Sequence, residues 1–319
     1  YYGGDFAAAI AAAQDLHRQL TATGPQPPPT GTLPSSSSSA PAGSASSGGA
    51  APSDAHYTVE AHIKLPPHSS LPALIAQMQS LLKIKEEGNA AVKDKNYAAA
   101  VDKYSAALAQ GACPAYAAVL HSNRAAAHQH LGNVTEAVAD CGRSKALDPG
   151  YHKAYSRLAS LMLELRRPEN AQGLLDAALK SPAVAARGGL GAAEKQALQE
   201  RLVEARAASG WQKTPEHYKL LGLARSCSED DVRRAYRKLA LKHHPDKAVA
   251  NCKASFALPD AVADCSVRLL VAQEVEARIR EEASWLFNFI NQAHEELGDK
   301  AKRRKVDQLL DCEEPPRPA

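Results

Sequence analysis

Aromatic side chains are scarce in this 319-residue chain, at 5% of the total, with two tryptophans and four phenylalanines. Its core must therefore come mainly from Ala and Leu, which suit close-packed helices and lack the β-branched and aromatic bulk that sheets favour. Net charge is nearly absent as well, at +3, so the overall balance points to no polyanionic partner. None of the six cysteines, at 113, 141, 227, 252, 265 and 312, stands in a CxxC pair. That spacing argues against a zinc ribbon or a thioredoxin-like redox site, and neither a metal nor another cofactor is expected. Scattered thiols fit a reducing compartment, so a cytoplasmic address, with the nucleus as a second, is the expectation. No apolar run reaches the ~18 residues of a membrane-spanning helix, and no charged-then-apolar leader is present. The chain opens on Tyr1 rather than Met, which reads as a fragment or processed product.

The length leaves room for two or three domains. Residues 21–56 are Pro, Ser, Gly, Thr and Ala with almost no charge or periodicity, the composition of a flexible linker. From residue 71 onward helical patterning takes over, and one template recurs three times, in the segments starting at Gly88, Asn123 and Tyr155. Aligned on Ala100, Ala137 and Ala171, the copies lie 37 and 34 residues apart. The loop from Gly111 to Cys113 absorbs the difference. Small residues recur because the two helices of an antiparallel hairpin must approach closely, and each hairpin leaves an apolar face for the next to cover. With Tyr97, Tyr104, Ala107 and Pro149 also in place, the pattern resembles the tetratricopeptide repeat. The expectation is three repeats plus a capping helix (about 190–208) over 71–210, and the second half of a truncated repeat over 1–20.

Five polar residues stand on the first helices of these copies. Lys85 and Asn89 are four apart and share a helix face, Asn123 holds the same face of the second copy, and Lys153 and Arg157 hold it in the third. First helices line the concave surface of such a solenoid, so the five should converge on one donor-rich groove. Each charge-assisted hydrogen bond there contributes roughly 1.5–3 kcal/mol, enough together for about micromolar binding of an acidic tail. Position by position the set resembles the two-carboxylate clamp of chaperone-binding tetratricopeptide domains. That resemblance implies recognition of the Glu-Glu-Val-Asp ends of heat-shock protein 70 and 90 chaperones, without deciding between them. Taken singly, any of the five would be an ordinary solvated or turn-bonding residue.

Beyond Pro215 the pattern changes. Ser228 and Asp231 read as a capping box, and Val232, Ala235, Tyr236, Leu239 and Ala240 form an apolar stripe. Arg233, Arg234, Arg237, Lys238 and Lys242 form a basic ridge, and Pro245 ends the helix. A second helix carries Leu286, Ile290, Ala293 and Leu297. Residues 214–309 resemble the J domain of DnaJ-type proteins, with His244, Pro245 and Asp246 as its His-Pro-Asp tripeptide in the loop between two long helices. The resemblance implies that the ridge meets an acidic surface of a heat-shock protein 70 class chaperone and that the tripeptide biases that chaperone toward ATP hydrolysis. Asp246 and Phe287 lie 41 residues apart, wider than usual, which implies an insertion at about 248–272. Val306 and His294 stand where aromatics are expected, which makes a looser last helix the expectation. Residues 310–319 read as a tail.

The combined expectation is an all-α chain, a tetratricopeptide-repeat superhelix of antiparallel helix pairs followed by a C-terminal J-domain helical hairpin. It would be a co-chaperone and not itself an enzyme, assisting protein folding with heat-shock protein 70, heat-shock protein 90 and client proteins as partners and no membrane. The alternative is a repeat adaptor whose J-like segment is inactive and which links the two chaperones. A nucleic-acid reading of the ridge and of Lys300–Lys305 lacks interleaved aromatics and ranks far lower; that cluster also matches a weak nuclear-import motif.

Overall fold

The computed structural model describes residues 71–209, 215–253 and 265–313, together with positions 10–12, 14–15 and 18. The expected linker, most of the N-terminal segment, residues 254–264 of the expected insertion and the end of the tail lie outside the described residues. The fold is all-α, with no strand among the described residues.

Three antiparallel hairpins form the first part: α1 (Leu71–Lys93) with α2 (Tyr97–Ala109), α3 (Pro114–His130) with α4 (Val134–Leu147), and α5 (His152–Glu164) with α6 (Pro168–Lys180). Ala100, Ala137 and Ala171 are completely buried where each second helix meets its first. Gly88 shows why a small residue is needed: a Cβ there would lie 2.6 Å from the Tyr104 ring. Local chemistry sets the helix starts. The Asn96 side chain accepts from the Ala99 amide at 3.2 Å, and Pro114 and Pro168 occupy first turns, where a missing N–H costs nothing. Short α7 (Pro182–Ala186) leads to α8 (Ala192–Ser209), which buries Leu198, Leu202 and Ala205 against the last hairpin.

The second part contains α9 (His217–Leu221), α10 (Glu229–His243), α11 (Pro245–Lys253), α12 (Cys265–Gly298) and α13 (Lys300–Glu313). The Ser228–Asp231 capping box starts α10 with both reciprocal bonds formed. The α10 helix packs on α12, where Tyr236 stacks on His294 at 3.9 Å between centroids and its hydroxyl donates to Asn291 at 3.1 Å. Imidazole thus supplies the flat surface expected of an aromatic. Val306 and Leu310 are buried, and Arg303 of α13 donates to the Tyr218 hydroxyl and to the carbonyls of Arg225 and Cys227. The last helix is therefore tied down, contrary to the expectation drawn from Val306 and His294.

The two parts share cores. Tyr218, Leu221, Val232, Phe289 and Ile290 lie in one buried cluster with Val138, Leu158, Leu165 and Leu175 of the repeats. A second joins Ala248, Val249, Cys252, Val275 and Ile279 to Leu120, Ala146 and Leu147. Polar contacts follow the same seam: Thr135 donates to the Leu220 carbonyl, Arg167 to Gln292 at 2.8 Å, and Arg278 to the Ala146 carbonyl at 2.8 Å. Both flanks of the expected insertion are helical. The second of them, α12, packs along α4 of the second hairpin, with Lys145 and Glu282 paired at 2.7 Å.

Candidate functional site

Two separate surfaces hold the residues singled out in the sequence. At the end of α10, His244 is the helix C-cap with an extended ψ of 134°, the conformation that a following proline imposes. The tripeptide does not occupy a loop between two long helices, and that expectation is corrected: Pro245 opens the nine-residue helix α11. Proline is favoured at a first helical position, and Ala248, Val249 and Cys252 then have an apolar face to bury. His244 and Asp246 stay open, with side chains 49% and 78% exposed and 3.7 Å between Nδ1 and Oδ2. Phe287 meets the His244 ring edge-on at 5.5 Å.

The ridge is less free than its composition implies. Arg233 pairs with Glu229 at 2.6 Å and Arg234 with Asp231 on their own helix. Arg237 donates to the Arg233 carbonyl at 3.3 Å, and Lys238 is exposed without a carboxylate partner among the described residues. Lys242 reaches across to Glu136 of α4 at 2.6 Å, and buried His243 lies 3.3 Å from the same carboxylate. Burial would raise Glu136, but the His243 and Lys242 contacts outweigh it and bring its pKa down to about 2. Leu241, three residues before the tripeptide, is 63% exposed. Helical periodicity gave no reason to single it out.

On the repeats, Lys85, Asn89, Asn123, Lys153 and Arg157 come from the first helices α1, α3 and α5, all partly or fully accessible. The Asn89 amide oxygen accepts from the Tyr104 hydroxyl at 2.7 Å, which leaves its NH2 as a donor. Lys85 lies over the Tyr116 ring at 5.7 Å, and Arg157 donates to the Ser122 carbonyl at 2.7 Å. No carboxylate pairs with Lys85, Lys153 or Arg157 among the described residues. Lys153 and Arg157 line a groove with Gln129, His130 and Ala126 of α3, closed on the far side by Glu194, Leu198 and Arg201 of α8. The sequence could not assign α8 to that wall, because the approach of a capping helix is set by packing.

A deeper polar network ties α3 to α4. Buried Asp140 accepts from Arg124 at 2.7 and 2.8 Å and from Arg143 at 2.9 Å, with His121 Nδ1 at 3.1 Å. Burial opposes ionisation of Asp140, but Arg124 and its neighbours hold the carboxyl well below the ordinary range. Burial takes His121 to about 4 against the Asp140 contact, so the ring is neutral near pH 7.

Comparison with known proteins agrees with this architecture. The DnaJ domain model matches residues 216–257. The chain is 30% identical over 243 residues to DnaJ homolog subfamily C member 7 homolog of Dictyostelium discoideum, covering 76% of this chain and 39% of that protein. It is 30% identical over 194 residues to DnaJ homolog subfamily C member 7 of Homo sapiens, covering 60% and 37%. The Schizosaccharomyces pombe homolog matches at 28% over 253 residues, covering 79% and 45%. The chain thus spans less than half the length of each of these relatives. With three repeat hairpins followed by the capped basic helix and its tripeptide, the chain is a tetratricopeptide-repeat protein that carries a J domain.

Proposed function

We propose that the chain is a co-chaperone that stimulates the ATPase of a heat-shock protein 70 class chaperone with the His244–Asp246 corner and docks chaperone acidic tails in the groove of the repeats. The observation that carries the first half is the exposure of His244 and Asp246 at the end of a helix that also presents Arg237, Lys238 and Leu241. Cations of this kind steer association with an acidic surface, and an exposed leucine among them offers apolar contact once docked. Hydrolysis takes place in the partner, so this chain supplies binding energy rather than a catalytic set. The test is steady-state ATP turnover of the purified chaperone with the full chain. Wild type is expected to raise turnover and His244→Gln to abolish the rise. Equal stimulation by both would refute this reading.

The groove supports the second half through its charge. Lys153 and Arg157 line the groove and neither pairs with a carboxylate among the described residues, Arg157 donating to a neutral carbonyl, so their charge is available to a ligand carboxylate. Titration with an acidic tail peptide is expected to give about micromolar affinity that falls at least tenfold in Arg157→Ala. A second reading, an adaptor with an inactive J segment, draws support from one observation: Lys242 and His243 are already engaged by Glu136. It predicts tail binding with no rise in turnover, which the same two assays separate. A cytoplasmic or nuclear address belongs to the proposal on the strength of the sequence alone.

A further inference from the structure

We propose that Arg201, on the capping helix α8, is a specificity-determining residue of the groove and reads a carboxylate of the bound tail other than those of its last residue. The inference rests on the reading of the groove as a site for acidic tails. Arg201 crosses to α5, where its Nη1 donates to the Ser156 carbonyl at 3.0 Å and to the Ser156 and Ser160 hydroxyls at 2.7 Å each. Those serines stand next to Lys153 and Arg157 on the same helix, so the guanidinium sits beside the clamp cations on a third wall. All three acceptors are neutral and all are met by one nitrogen. The Nε hydrogen and the two on Nη2 are left for a ligand, in the fork geometry that matches a carboxylate.

Four other arginines of the repeats are neutralised, Arg124 and Arg143 by Asp140, Arg166 by Glu216 and Arg187 by Asp148. Arg201 pairs with no carboxylate among the described residues. The carboxylate lining this groove, Glu194, is 3.2 Å from His152, so Lys153, Arg157 and Arg201 leave a positive surplus. A role confined to pinning α8 explains the geometry less well. Leu198, Leu202 and Ala205 already bury that helix, and Gln172 donates to the Ala205 carbonyl at 3.3 Å. The five clamp residues on α1, α3 and α5 are matched to the terminal residue's two carboxylates. A guanidinium arriving from α8, off their register, meets an acid further back in the tail.

The test uses the full chain and three synthetic peptides with free C-termini: one ending Glu-Glu-Val-Asp, and its two single Glu→Gln forms. Affinities come from fluorescence anisotropy for wild type, Arg201→Gln and Arg157→Ala. Glutamine can still donate to Ser156 or Ser160 but carries no charge. Wild type is expected to lose about tenfold for one of the two Gln peptides, and Arg201→Gln to bind the all-acid peptide about tenfold more weakly and no longer respond to that substitution. Wild-type ratios among the three peptides in Arg201→Gln, with or without a lower melting midpoint, overturn the inference. If Arg157→Ala still abolishes binding in that case, the groove reading survives. No binding of any acidic peptide by wild type overturns both.

Discussion

At Glu136 one carboxylate of the repeats accepts from Lys242 and His243 immediately before the tripeptide. Its pKa, about 2, lies below the ordinary carboxylate value, so its contribution is complete above about pH 4.5 and fades as pH falls toward 2. Glu136→Gln at pH 7 is expected to lower stability by about 1–2 kcal/mol in urea unfolding. An unchanged midpoint would mean that the contact carries no net energy. Two buried imidazoles act in the next higher pH window and in the same sense. His121, facing Asp140, Arg124 and Arg143, and His217, facing Arg167, are each depressed to about 4, mainly by burial. Both stay neutral in the folded chain but protonate when it unfolds, so their stabilisation is complete above pH 6.5 and erodes as pH falls through about 4. The slope is about 1.4 kcal/mol per pH unit for each. Acidification from pH 7 to 5 should therefore lower the urea midpoint, and His217→Phe, which replaces a ring whose Nδ1 has no partner, should reduce that sensitivity. A midpoint indifferent to pH in that range would count against both histidines.

Helix α12 runs for 34 residues, long enough to serve two partners. Its C-terminal half supplies Leu286, Ile290, Ala293 and Leu297 to the packing with α10, and its N-terminal half places Val275 and Ile279 against α4 and its neighbours. With α11 it converts the extra length seen in the sequence into a seam. Ile279 is 1% exposed, and Ile279→Ala should cost about 2–4 kcal/mol by opening a cavity. The cost should appear as faster hydrogen exchange in α11 as well as in α12. Protection lost only near residue 279 would show that the seam does not hold α11. In α1, Gly88→Ala should cost about 1–3 kcal/mol, because the added methyl meets the Tyr104 ring. Thermal unfolding measures it, and a neutral result would mean that the ring can move aside.

For the whole molecule, shared burial changes how the two surfaces cooperate. A flexible tether would raise effective concentration over a range of distances. A continuous core instead holds the groove and the tripeptide at one fixed separation, and a partner must span it. Repeats and J domain should therefore unfold together. In the Trp211→Phe chain, tryptophan emission, reporting Trp285 of α12, and far-ultraviolet circular dichroism are expected to give coincident denaturation curves. Two separated transitions would show that the parts are energetically independent.

The all-α fold, the three hairpins and the match to a J domain were legible in the residues themselves, since helical period, small residues at close crossings and the capping box are local chemistry. The five polar residues of the repeats and the tripeptide were singled out through the resemblance of their positions to known family motifs. Sequence periodicity could not show that Glu136 would face Lys242, 106 residues away, that Arg201 would wall the groove, or that the tripeptide would open a helix packed on the repeats. Those outcomes depend on how apolar faces of separate segments find one another, a non-local choice set by shape and burial over the whole chain.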